Sequence, residues 1–163
     1  MSLRQRIQDD VTTAMRSGDA LRRDTLRLAW NAVYAVEKRD RRELSDDDVV
    51  SVIAREVKTR RESVDAFRAG GRDDLAQKEE AEIGILSDYL PQALGETELV
   101  ALLDQAIAAT GAASARDLGK VMGWLAPRTR GRADGKHVAE LVAKALAARD
   151  LAGHAGQHPE DAS

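Results

Sequence analysis

Six basic residues fall between Arg116 and Lys136: Arg116, Lys120, Arg128, Arg130, Arg132 and Lys136. Only Asp117 and Asp134 oppose them, so the segment carries a local charge of +4 inside a chain whose formal total is −3. That contrast argues against coating nucleic acid by bulk charge and confines any such contact to a local patch. From Pro127 to Lys136 the basic side chains leave a short loop between two expected helix ends, and Gly131 lets the backbone turn tightly or approach a ligand. The next helix is expected to start near Asp134, where unpaired N–H groups and the helix dipole favour a phosphate. Such a loop suits RNA recognition by backbone shape more than by base sequence. It reads equally as a solvated connection whose arginines pair with acids of the N-terminal helices. Trp124 offers a face for a base, although a helical tryptophan more often fills a core or an interface.

Other chemistry finds little support. The chain has no cysteine, which excludes thiol nucleophiles, thiolate metal sites and disulfides, and suits a reducing compartment. No phosphate loop, dinucleotide fingerprint or Gly-x-Ser-x-Gly elbow occurs. His154 and His158 have a spacing that would place two ligands on one helix face, but Gly153, Gly156 and Pro159 surround them. His137 falls in the first turn of the last expected helix, as a phosphate contact or a plain surface residue. Asp46, Asp47 and Asp48 sit where a helix N-terminus favours negative charge, and Glu79, Glu80 and Glu82 read as a solvated helix face. No catalytic residue, metal ligand or cofactor is expected.

The elements that position the basic segment follow from helical periodicity. Hydrophobic residues make up 43% of the chain but aromatics only 3%, so the core is expected to be thin and aliphatic. Expected helices run over 2–17 (Leu3, Ile7, Val11, Ala14), 21–41 (Leu26, Trp30, Val33), from a Ser45 cap with Asp48 in capping-box position to the Gly70-Gly71 stop, and over 72–90, where Pro91 ends the run. Gln92 to Gly95 reads as a linker. Beyond it stand a helix ending at Thr110-Gly111, a short one capped by Ser114 and Asp117 and limited by Pro127, and a last one carrying Val138, Leu141, Val142 and Leu146. The fold class is therefore all-α: an N-terminal helical subdomain of about four helices over 1–91, a compact three-helix subdomain over 96–149, and a disordered tail over 151–163. The N-terminus has no apolar leader core and no run approaches the roughly 20 apolar residues that span a bilayer, so a soluble, cytoplasmic chain with no membrane partner is expected.

The residues also carry a resemblance. Asp117-Leu118-Gly119-Lys120-Val121-Met122-Gly123, then Leu125, Pro127, Gly131 to Lys136 and Val138, resemble the GatB/YqeY domain signature. Leu44 to Asp47, Arg61-Glu62-Ser63, Gly71 to Leu75 and Tyr89-Leu90-Pro91 are similar to stand-alone YqeY-like proteins. The similarity covers about 2–146. It implies kinship with the C-terminal tail of the B subunit of the tRNA-dependent amidotransferase, a carbon–nitrogen ligase with glutamine as amido donor, whose tail helps hold the tRNA body. Carried over, Lys120, Arg128, Arg130, Arg132 and Lys136 become tRNA contacts, while Gly119, Gly123 and Gly131 serve packing and turn geometry. The large ATP-using catalytic domain of that subunit has no counterpart here, and Asp134-Gly135 stands where the tail tends to have Asn-Pro. The resemblance thus implies a tRNA-associated accessory protein without catalysis of its own, with amidotransferase subunits or an aminoacyl-tRNA synthetase as protein partners. The alternative is a helical adaptor that meets an acidic partner through Lys38, Arg39, Arg41, Arg42, Lys58, Arg60 and Arg61.

Overall fold

The computed structural model describes residues 1–155. Among the described residues the chain is all-helical, with seven α-helices and no strand, and it divides into two compact units, one of Met1–Gln92 and one from Ala93 onward.

The first unit contains α1 (Leu3–Ser17), α2 (Ala20–Asp40), α3 (Asp46–Ala69) and α4 (Asp73–Ser87). Most starts are set locally. Ser2 and Asp19 accept backbone N–H bonds at the heads of α1 and α2. Ser45 and Asp48 form a reciprocal capping box at α3. The apolar stripes converge on Ile7, Leu26, Val33, Val49, Ile53 and Leu86, all fully buried. Polar clamps hold the edges of this core. Arg4 lies over the Trp30 ring, 4.8 Å from its centroid, and donates to Glu37, which also accepts the Leu44 N–H. Tyr89, buried just past α4, donates to Asp10 of α1 and lies under Arg6. Helix α4 ends at Ser87, earlier than the proline alone required.

The turn between α2 and α3 holds Arg41 at φ +53°, the only non-glycine residue with positive φ among those described. That conformation ordinarily costs an L-residue about 1–2 kcal/mol. At the same junction Asp48 accepts from Arg42 first of all, and also from Ser45, which holds its carboxyl down at about 2, below its ordinary 3.8. A depressed folded-state value means that this group stabilises the first unit fully above about pH 4, and that the contribution disappears as pH falls through about 2. Asp48→Asn should therefore lower the melting temperature near pH 6 and narrow the gap to wild type as pH approaches 2. Thermal melts between pH 6 and 2 check this; a constant gap would show that the carboxylate charge adds nothing to the cap.

The second unit contains α5 (Glu96–Thr110), a 3-10 turn (Ala115–Asp117), α6 (Leu118–Thr129) and α7 (Gly135–Ala155). Leu99, Leu103, Ala106, Val121, Leu125, Val138, Val142 and Leu146 form its core. Two expectations need correction. Pro127 does not limit α6 but lies inside it. It removes the donor for the Gly123 carbonyl, a loss taken near the helix end, where only Arg128 and Thr129 follow. Order also does not end at Leu151: α7 continues to Ala155. Asp150 accepts the Ala115 N–H at 3.3 Å, which ties the late turns of α7 to the 3-10 turn, and Leu151, Ala152 and Ala155 are good helix formers that offset the single Gly153.

Candidate nucleic-acid interface

The basic residues between Arg116 and Lys136 are brought to the two ends of α6 and the head of α7. Arg116 and Lys120 stand at the start of α6, both exposed. Lys120 reaches Asp117 at 3.8 Å with its side chain 70% exposed, a contact too long and too wet to neutralise it. Asp117 itself is committed to the cap, accepting the Ala113 and Ser114 N–H groups, and those backbone bonds lower its pKa.

At the other end Arg128 lies 3.7 Å from the Trp124 ring centroid and donates to the Trp124 carbonyl at 2.6 Å. The tryptophan face is therefore taken by a cation, so the stacking surface offered outward is the guanidinium plane and not the indole. Arg130 caps α6 with extended backbone and is exposed. Gly131 follows at φ +68°, a conformation that its lack of a side chain makes inexpensive. It turns the chain so that the Arg132 carbonyl accepts the Leu94 N–H at 2.8 Å. Arg132 is thus half-buried and structurally engaged, whereas Lys136, second residue of α7, is exposed.

The geometry sharpens the expected site in three ways. Lys120 and Arg128 are eight residues apart along α6, about 12 Å at 1.5 Å per residue. The cations are therefore spread along the helix and do not converge on a single anion pocket. At the head of α7, Asp134 immediately precedes the helix, and its backbone carbonyl accepts the Val138 N–H. His137 is held by Glu96 at 2.7 Å. Finally, Gly119 and Gly123 do not serve packing within the structure described: both are helical and exposed, and a Cβ on either would meet nothing within 4 Å. Gly119→Ala should raise the stability of this unit by about 0.5–1 kcal/mol, the usual helical cost of glycine. Chemical denaturation checks it, and a loss of stability would mean that the position is sterically closed.

Other expected features are placed differently. Arg60, read as part of an exposed basic face, is 7% exposed and bonded to Glu56 and Glu82. Glu82 therefore belongs to an internal ion pair and not to a solvated acidic face, while Glu80 pairs with Arg68. Periodicity carries a signal for this burial, because Arg60 continues the apolar stripe of Ile53, Val57 and Val64. Among the described residues no group of three or more His, Asp or Glu is placed to hold a metal ion, and no helix is long and apolar enough to cross a membrane. The side chains of His154 and His158 lie outside the described residues.

Among the described residues the chain is an all-helical scaffold of two units, with exposed cations on the second. The family model described as Yqey-like protein matches residues 4–146, and the chain belongs to that family. Relatives include a protein of Pyrenophora tritici-repentis named altered inheritance of mitochondria protein 41, mitochondrial, 28% identical over 88% of this chain and 81% of the relative. A protein of the same name in Eremothecium gossypii is 35% identical over 60% of this chain and 55% of its own length. An uncharacterized protein of Schizosaccharomyces pombe is 29% identical over 53% of this chain and 70% of its own. The mitochondrial names overturn the cytoplasmic expectation. It rested on the missing apolar leader core, which tests for secretion alone, whereas mitochondrial targeting segments are amphipathic and Arg-rich and carry no such core.

Proposed function

We propose that the second unit binds structured RNA through its phosphate backbone, with tRNA as the RNA class, and performs no catalytic step of its own. The observation that carries this reading is the exposure of Lys120, Arg128, Arg130 and Lys136 along α6 and at the head of α7. Their spread suits several successive phosphates, which recur every few ångströms along a strand. The stacked Arg128 plane and the open Gly119 face permit close approach of a sugar–phosphate chain. The resemblance of the Asp117–Lys136 motif to the tail of the amidotransferase B subunit favours tRNA over other folded RNAs.

The test is titration of the full chain with fluorescently labelled tRNA at 50 to 200 mM salt. About four phosphate contacts predict roughly a hundredfold weakening over that range. Binding that ignores salt, or no binding at 50 mM, would remove the proposal.

A further inference from the structure

A second surface lies in the first unit, on residues that the RNA reading does not use. Val36, Arg39 and Asp40 of α2, Arg42 and Leu44 of the following turn, and Asp48, Ser51, Val52 and Arg55 of α3 line a cleft of about 160 Å³. That is room for roughly five waters, or one inserted side chain. Its floor is aliphatic: Leu44 is 5% exposed, and Val36 and Val52 pack on the main core while remaining partly open.

The charges on its rim are unbalanced by their own pairing. Asp40 is taken by Arg39 at 2.7 Å, and Asp48 by Arg42 at 2.8 Å and by Ser45. Both acids of the cleft are thereby used. Arg55 is exposed, and among the described residues its guanidinium has no ion pair.

We propose that this cleft docks an acidic, aliphatic-bearing helix of a protein partner, with a Leu- or Met-like side chain on the Val36–Leu44–Val52 floor and a carboxylate on Arg55. Charge complementarity selects an acidic occupant, and the aliphatic floor selects protein over RNA, since no aromatic side chain lines the cleft to stack a base. An apolar anchor ringed by charge is the usual anatomy of a helix-in-groove contact. The proposal stands independently of the RNA reading, because it uses a different unit and different residues.

The experiment is a titration of the ¹⁵N-labelled full chain with a pool of synthetic helical 14-residue peptides carrying one central Leu flanked by Glu at four-residue spacing. Amide shifts confined to Val36, Leu44, Ser51, Val52 and Arg55 are expected. Arg55→Glu should weaken binding at least tenfold without altering the melting temperature, as the side chain supports nothing in the fold. No shift at these amides up to millimolar peptide would overturn the proposal. So would equal shifts with Lys in place of Glu, or with Ala in place of Leu. Displacement of bound peptide by tRNA, with the same amides shifting, would assign the cleft to RNA instead and overturn it as well.

Discussion

Replacing Arg128, Arg130 and Lys136 together by alanine is expected to reduce tRNA affinity by about a hundredfold at 100 mM salt and to flatten its salt dependence. Each phosphate contact contributes close to one power of salt concentration, so removing three of about four should leave a slope near −1. Arg130 and Lys136 are exposed, and the exposed Arg128 contacts only the half-buried Trp124 four residues back on its own helix. Helical content and melting temperature should therefore stay close to wild type. Arg132 is deliberately kept, because it is half-buried and its carbonyl anchors Leu94. Fluorescence titration at several salt concentrations reads the result, and an unchanged slope would mean that RNA, if bound, is held elsewhere.

The second large effect lies in stability. The Arg60 guanidinium donates through Nε to Glu82 at 3.0 Å and through Nη1 to both the carboxylate and the carbonyl of Glu56 at 3.0 Å. Burial works against its charge, yet the hydrogen bonds to Glu56 and Glu82 prevail and raise its pKa. Arg60→Ala would strand the Glu82 carboxylate, only 13% exposed, between α3 and α4. The cost should be about 3 kcal/mol, at the lower end for breaking a buried pair because Glu56 remains 28% exposed. Removing both partners is a different matter. The double variant Arg60→Met, Glu82→Leu exchanges desolvated charge for apolar contact and should recover to within about 1 kcal/mol of wild type. Urea unfolding of the single and double variants decides it; a single variant as stable as wild type would show that the pair does not clamp α3 to α4.

Much of this architecture was legible in the residues. The Ser45–Asp48 box and the left-handed Gly18 and Gly111 ends are local events, and local chemistry is written in short strings. The failures have a common cause. Pro127 inside α6, the burial of Arg60 and the persistence of α7 past Leu151 each depend on a partner far along the chain or on the opposite helix face. A proline rule treats one residue, whereas α6 is held by Val121, Leu125 and Thr129 on its buried side. A charged residue reads as surface until its carboxylates, four and twenty-two positions away, are brought to it. In the basic segment the cations and their division between the head of α6 and the loop beyond it were readable, since Ser114 and Asp117 mark the start of the short helix and Pro127 lies near its end. The occupation of Trp124 by Arg128 was not, because it depends on rotamers that i, i+4 spacing permits without requiring.

That last pairing has a use outside binding. The chain contains two tryptophans, one in each unit, and each lies beneath an arginine: Trp30 under Arg4 and Trp124 under Arg128. Replacing either by phenylalanine leaves a single indole whose emission belongs to one unit alone. The two resulting proteins turn a two-unit chain into two optically separate melting experiments, in which loss of each unit's structure is seen without interference from the other.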